Sequence, residues 1–72
     1  MTPEQIATIG TLLYGTSWKS AMARALGVDR HTVIGWHEGA WNMPYEKRFA
    51  LRELAKMRIA ELQVAVRSVP KS

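Results

Sequence analysis

Apolar residues recur three or four positions apart along most of the chain, and no stretch alternates apolar and polar residues long enough for a β-strand. Near the start, Ile6, Ile9 and Leu13 fall on one face of a helix. The preceding segment TPEQ, residues 2–5, places a threonine cap before a first-turn proline and a glutamine three residues after the cap. The pattern therefore predicts a first helix that stops at Gly15.

Two short helices joined by a tight turn are predicted next. The first covers residues 18–26 and ends at Gly27, because glycine adopts the left-handed conformation of a helix end without steric cost. Asp29 is a good N-cap for the second helix, which covers about residues 30–38 and is closed by Gly39.

The longest predicted helix, at about residues 45–68, begins after Pro44 and carries two apolar stripes. One stripe is predicted to cover the core and consists of Phe49, Ala50, Leu54 and Met57. The other has the alternating steps of four and three residues typical of a coiled-coil seam and consists of Ala55, Ile59, Leu62, Val66 and Val69. We expect this second stripe to pair with its copy in a homodimer; alternatively, it folds back onto the first helix.

The composition supports a partner subunit and a polyanionic ligand. A chain of 72 residues has one small core, and without cysteine neither a disulfide nor cysteine-bound zinc stabilises it. The net charge of +4 and the pI near 10 favour either nucleic acid or an anionic membrane surface. Because the cationic residues are spread over several helices, rather than gathered opposite one apolar face, we favour nucleic acid.

The segment over about residues 17–38 meets the demands of a helix-turn-helix, in which the second short helix enters the major groove of DNA. Ala23 is small where the two helices approach most closely, and Gly27 turns the chain. The positions that must be apolar to lock the pair onto the other helices are Met22, Leu26, Val28, Val33 and Trp36. The sequence therefore predicts an all-α fold, a single four-helix domain over residues 1–72 with a long C-terminal helix.

The spacing A-x-x-L-G-V-D-x-x-T-V-x-x-W-x-x-G, from Ala23 to Gly39, resembles the helix-turn-helix of phage Cro/CI-type (XRE-like) repressors and their bacterial relatives. The resemblance covers residues 16 to about 54. The segments PY at 44–45, FAL at 49–51 and LA at 54–55 are similar to small anti-CRISPR-associated regulators of phages. These resemblances imply a protein that binds inverted repeats in promoters and represses the operon that encodes it. The chain departs from the commoner pattern at Gly35 and His37.

The second helix of this motif offers one face to DNA, because Val33 and Trp36 point inward. Arg30 is the foremost candidate, since its planar guanidinium can pair with O6 and N7 of guanine. The predicted base-contacting residues are Arg30, His31, Ile34 and Gly35. Each has a plain structural alternative: a solvated arginine or histidine, an isoleucine that completes the core, a glycine required by packing. Trp18 and Trp41 are expected in the core, where aromatic residues at such spacings are more often found; alternatively, they flank the groove.

Phosphate contacts need hydrogen-bond donors beside that helix, and they fix the register without reading sequence. Ser17 and Lys19 lie at the N-terminus of the preceding helix, whose free amides favour an anion, although Ser17 is alternatively only a cap. The predicted phosphate-contacting residues are Ser17, Lys19, Ser20, Arg24, Thr32 and His37. Lys47 and Arg48, at the start of the long helix, are further candidates.

Other functional classes find little support in the sequence. His31 and His37 lie on different faces of one helix without a third ligand, and the chain has no cysteine nucleophile, glycine-rich phosphate loop or H-E-x-x-H motif. We therefore expect no enzyme activity, metal, cofactor or small-molecule substrate. The sequence has neither a signal peptide nor a membrane span, so we expect a cytoplasmic protein. The remaining alternative to a DNA-binding repressor is a small helical protein-interaction module, such as an antitoxin or a phage inhibitor.

Overall fold

A computed structural model describes residues 1–71, and its regular structure is helical throughout that range. The helices are α1 (Pro3–Tyr14), α2 (Trp18–Leu26), α3 (Arg30–Glu38) and α4 (Tyr45–Arg67), and a single 3₁₀ turn (Gly15–Ser17) joins α1 to α2. The prediction of an all-α fold is confirmed. α4 ends one residue before the predicted position.

Local chemistry sets the helix ends. The Thr2 hydroxyl accepts from the Gln5 amide at 3.1 Å while the Thr2 amide donates to Gln5 Oε1 at 2.8 Å, so the predicted capping box is present. Gly27 closes α2 with φ 69° and Gly39 closes α3 with φ 78°, both in the left-handed region that glycine tolerates. Asp29 has the extended backbone of an N-cap, but its side chain makes no capping hydrogen bond.

The core lies where α1, α2 and α3 meet, and α4 contributes a single fully buried residue to it. The buried residues are Ile6, Trp18, Met22, Ala23, Leu26, Val33, Trp36, Met43 and Leu51. Gly10 of α1 makes room for this packing, because a β-carbon there would overlap the indole of Trp18. The predicted burial of Trp18 is confirmed.

The face of α4 that meets the core differs from the predicted stripe. Leu51 is fully buried, with Ala50 and Leu54 half-buried beside it, whereas Phe49 and Met57 are exposed. The prediction that Phe49 and Met57 cover the core is wrong. The helix is rotated so that Leu51 is central, which turns those two side chains outward.

Two cations attach α4 to the ends of other helices. Lys47 Nζ donates to the carbonyl of Leu26 at 3.0 Å, and a guanidinium nitrogen of Arg58 donates to the carbonyl of Leu13 at 3.2 Å. Both carbonyls belong to the last two residues of a helix, where unpaired oxygens and the helix dipole favour positive charge. Lys47 is therefore engaged within the fold, contrary to the expectation that it is free for phosphate.

The distal part of α4 extends beyond the core. Every described residue from 59 onward is exposed, and the molecule measures 48 × 23 × 20 Å. The alternative in which the distal stripe folds back onto α1 is therefore contradicted. Among residues 1–71, no helix is both long and apolar enough to cross a membrane.

Candidate nucleic-acid interface

A three-residue turn, residues 27–29, joins α2 to α3 and leaves one face of α3 uncovered. The Val28 amide donates to the Ala23 carbonyl at 3.0 Å, which holds the turn against the end of α2. Val33 and Trp36 are buried on the inner face of α3. The residues that remain exposed or half-buried on the outer face are Arg30, His31, Ile34 and Glu38. These four residues form an exposed strip along α3 that offers hydrogen-bond donors, one carboxylate acceptor and one apolar side chain.

A shallow depression of about 290 Å³ lies at one edge of this strip, between the N-terminus of α2 and α3. Its lining residues are Thr16, Ser17, Trp18, Lys19, Ser20, Arg30 and His37. Four of the six predicted phosphate-contacting residues and the foremost base-contacting candidate therefore come together around one hollow. None of the lining side chains is acidic, so the hollow suits an anion.

Trp18 contacts two polar side chains of the depression, His37 and Lys19. The His37 ring meets the Trp18 indole edge-on, with ring centroids 5.3 Å apart and an interplanar angle of 78°. Lys19 Nζ lies 5.8 Å from the centre of a Trp18 ring, within cation–π distance. Because Trp18 is itself fixed in the core, it gives these two polar side chains a rigid neighbour.

Two predicted phosphate-contacting residues lie outside the depression. Arg24 is exposed further along α2. Thr32 is half-buried in the first turn of α3, where its amide donates to the Asp29 carbonyl at 3.0 Å. The structure does not bring either side chain to the cluster around Trp18.

Gly35 is buried, so the prediction that it lies on the exposed face of α3 is wrong, and the alternative of a glycine required by packing is favoured. The six-membered part of the Trp41 indole occupies the space that a β-carbon on Gly35 would need. Trp41 itself is largely exposed, so its predicted place in the core is also wrong. The loop after α3 folds back along the helix and replaces the missing side chain with a tryptophan from outside it.

The sequence pattern places Trp41 in the core rather than beside α3, and it does not single out Glu38. The available signal for Trp41 was Gly35 itself, since a glycine inside a helix costs about 1 kcal/mol relative to alanine and indicates a packing requirement. Glu38 follows from the spacing of exposed positions on α3, and a carboxylate there can accept from the amino group of cytosine.

The predicted dimerisation residues divide into two groups. Ile59, Leu62 and Val66 line a shallow apolar surface on distal α4, and Val69 is exposed just beyond the helix end. Ala55 is half-buried instead. The stripe is thus presented to solvent from residue 59 onward, and its pairing with a second copy stays a prediction.

Within the described part of the chain, no group of three or more histidine, cysteine, aspartate or glutamate residues is arranged to hold a metal ion.

No protein-family model matches the chain, and neither a curated protein nor a solved structure matches it. The resemblance to Cro/CI-type and anti-CRISPR-associated regulators therefore stays a prediction from the sequence pattern.

Proposed function

We propose that this protein binds double-stranded DNA sequence-specifically as a homodimer and represses transcription. In this proposal α2, the turn and α3 act as a helix-turn-helix, with α3 as the recognition helix. The observation that carries it is the depression beside α3, where Lys19, His37 and the first turn of α2 surround one hollow next to Arg30. Side chains that can donate hydrogen bonds to a phosphate thus lie next to Arg30, which can donate to a base.

The dimensions of α3 and of the major groove are compatible with this role. α3 has nine residues and is about 13 Å long, and the major groove is about 12 Å wide. With α3 in the groove, Arg30 at its N-terminal end reaches guanine O6 and N7, while His31 and Ile34 face the neighbouring base pairs. The depression then faces a backbone phosphate, which fixes the register.

A homodimer would let two copies of α3 read an inverted repeat, with the copies about 34 Å apart along the DNA. The exposed apolar surface at Ile59, Leu62 and Val66 supplies a contact for the second copy. Repression, including autoregulation of a phage operon such as an anti-CRISPR operon, is what the sequence resemblance implies.

The same apolar surface also favours a second candidate, a protein-interaction module in which distal α4 binds a different protein. The two candidates differ in what α3 does. In the second, the exposed strip of α3 and the depression have no sequence-specific partner.

The test is a selection of bound duplexes from a random library, followed by gel shift of the enriched sequence at about 50 to about 200 mM salt. We expect an inverted repeat to be enriched and the complex to weaken steeply with salt, because bound phosphates release counterions. A scrambled duplex of equal length is the control. Equal affinity for both duplexes, or no binding at physiological salt, would favour the protein-interaction module.

A further inference from the structure

Trp41 stands apart from the other tryptophans of the chain. Trp18 and Trp36 are 7% and 3% exposed, as expected for core residues, whereas Trp41 is 57% exposed. One edge of its indole nevertheless lies directly on Gly35 of α3. The indole of Trp41 therefore packs on the surface of α3, while much of the ring remains exposed to solvent.

Backbone hydrogen bonds hold Trp41 in that place. Gly39 leaves the helix in the left-handed conformation, and the amides of Ala40 and Trp41 both donate to the Gly35 carbonyl, at 2.9 and 3.3 Å. Only glycine at position 35 leaves room for the indole. The ring is thus positioned by the helix end and by the helix surface together.

The position of Gly35 places Trp41 beside the exposed strip of α3. Arg30 and Gly35 are five residues apart and lie about 140° apart around the helix, with Ile34, Glu38 and His31 between them. The depression adjoins the Arg30 edge of the strip. Trp41 borders the opposite edge.

We infer that Trp41 is a DNA-contacting residue whose exposed indole packs on the apolar atoms of the groove, the deoxyribose carbons and thymine methyl groups. This inference rests on the proposed function, because it requires α3 to lie in the groove. A ring fixed beside α3 would meet the DNA wall as the helix enters, without the entropic cost of ordering a mobile side chain. Its flat apolar face suits those atoms.

The experiment measures quenching of Trp41 fluorescence by acrylamide, with and without the selected duplex. The signal of Trp41 is taken as the difference between the native protein and Trp41→Phe. We expect the free protein to be quenched readily and the complex to be protected. A ring that only covers Gly35 would stay equally accessible in both states.

Affinity provides the second measurement. Burial of about half of an indole predicts that Trp41→Ala weakens the complex roughly ten- to fiftyfold. Gly35→Ala is expected to weaken the complex as well. This variant keeps Trp41, but the new methyl group displaces its indole from the surface of α3. Phe49→Ala is the matched control, since Phe49 is a 53% exposed aromatic residue on α4, and we expect no change in affinity. Circular dichroism checks that each variant is folded.

The outcomes separate the two proposals. If the duplex binds and Arg30→Ala weakens it, but bound Trp41 remains open to acrylamide, the role of Trp41 in DNA contact is refuted while DNA binding stands. If Trp41→Ala loses affinity without any protection of the ring, Trp41 acts only through the packing of α3, and the inference is again refuted. If no duplex is selected at all, both proposals fall.

Discussion

The ammonium of Lys47 donates to the main-chain carbonyl of Leu26, joining the first turn of α4 to the last residue of α2 at 3.0 Å. Leu26 directly precedes the turn into α3, so this bond fixes α4 beside the segment that orients the exposed strip. The approach of a cation to a helix C-terminus is electrostatically favourable. Together with buried Leu51, it sets the rotation of α4.

Replacement of Lys47 by methionine removes this bond and keeps most of the aliphatic length. We expect Lys47→Met to lower the free energy of unfolding by about 1 kcal/mol, because a carbonyl loses a charged donor. Urea denaturation followed by circular dichroism measures it. Lys56→Met is the control, since Lys56 forms only an exposed ion pair with Glu53 at 3.5 Å and its loss should change little. Equal effects of the two substitutions would contradict the role of Lys47.

Gly10 offers a test in which the sign of the effect is informative. In an open helix interior, glycine to alanine stabilises by about 0.5–1 kcal/mol. Here the new methyl group would overlap Trp18, so we expect Gly10→Ala to destabilise by about 1–3 kcal/mol. Chemical denaturation gives the value, with exposed Thr11→Ala in the same helix as the control. Stabilisation by Gly10→Ala would show that the Trp18 packing is looser than described.

Helix ends were the most predictable part of the fold. The capping box at Thr2 and the left-handed glycines at positions 27 and 39 depend on local backbone chemistry, which a sequence displays directly. The rotation of α4 about its axis was harder to predict from the sequence. It depends on Lys47 and Arg58 binding carbonyls of distant helices, and no pattern of hydrophobicity reports such contacts.

The candidate site was predictable on one side only. Donors near a helix start and beside α3 suit phosphate, which predicts Ser17, Lys19 and His37 as contacts, and the structure brings these three residues around one depression. The other side depends on how the loop after α3 folds. Periodicity places Gly35 on the surface, but only the loop conformation brings Trp41 over it.

Arg30→Ala tests the base contact assigned to the N-terminal end of α3. Arg30 is exposed, so the fold should be unaffected, while binding of the selected duplex should weaken by about 1–3 kcal/mol with relaxed preference at one base pair. Gel shift against single-base variants of the duplex measures both. Arg67→Ala, at the exposed end of α4, removes the same charge and should have a much smaller effect. Equal losses would mean that Arg30 contributes charge alone.

Leu62→Glu tests the homodimer. A carboxylate in an apolar contact is costly to bury, so we expect the mass in solution to fall to that of one chain and DNA affinity to weaken, with helical content retained. Sedimentation equilibrium measures the mass. Leu12→Glu is the matched control, since Leu12 of α1 is 79% exposed, compared with 57% for Leu62. An unchanged mass for Leu62→Glu would place any self-association elsewhere.

α4 leaves the core just after Arg58, and every residue of its remaining turns is exposed. The part of α4 that packs on the core and the part that carries the exposed apolar surface therefore follow one another along the same helix. Mutations that remodel the outer turns are free of the constraint of the core, so over evolutionary time the chain could change its associations while retaining its architecture.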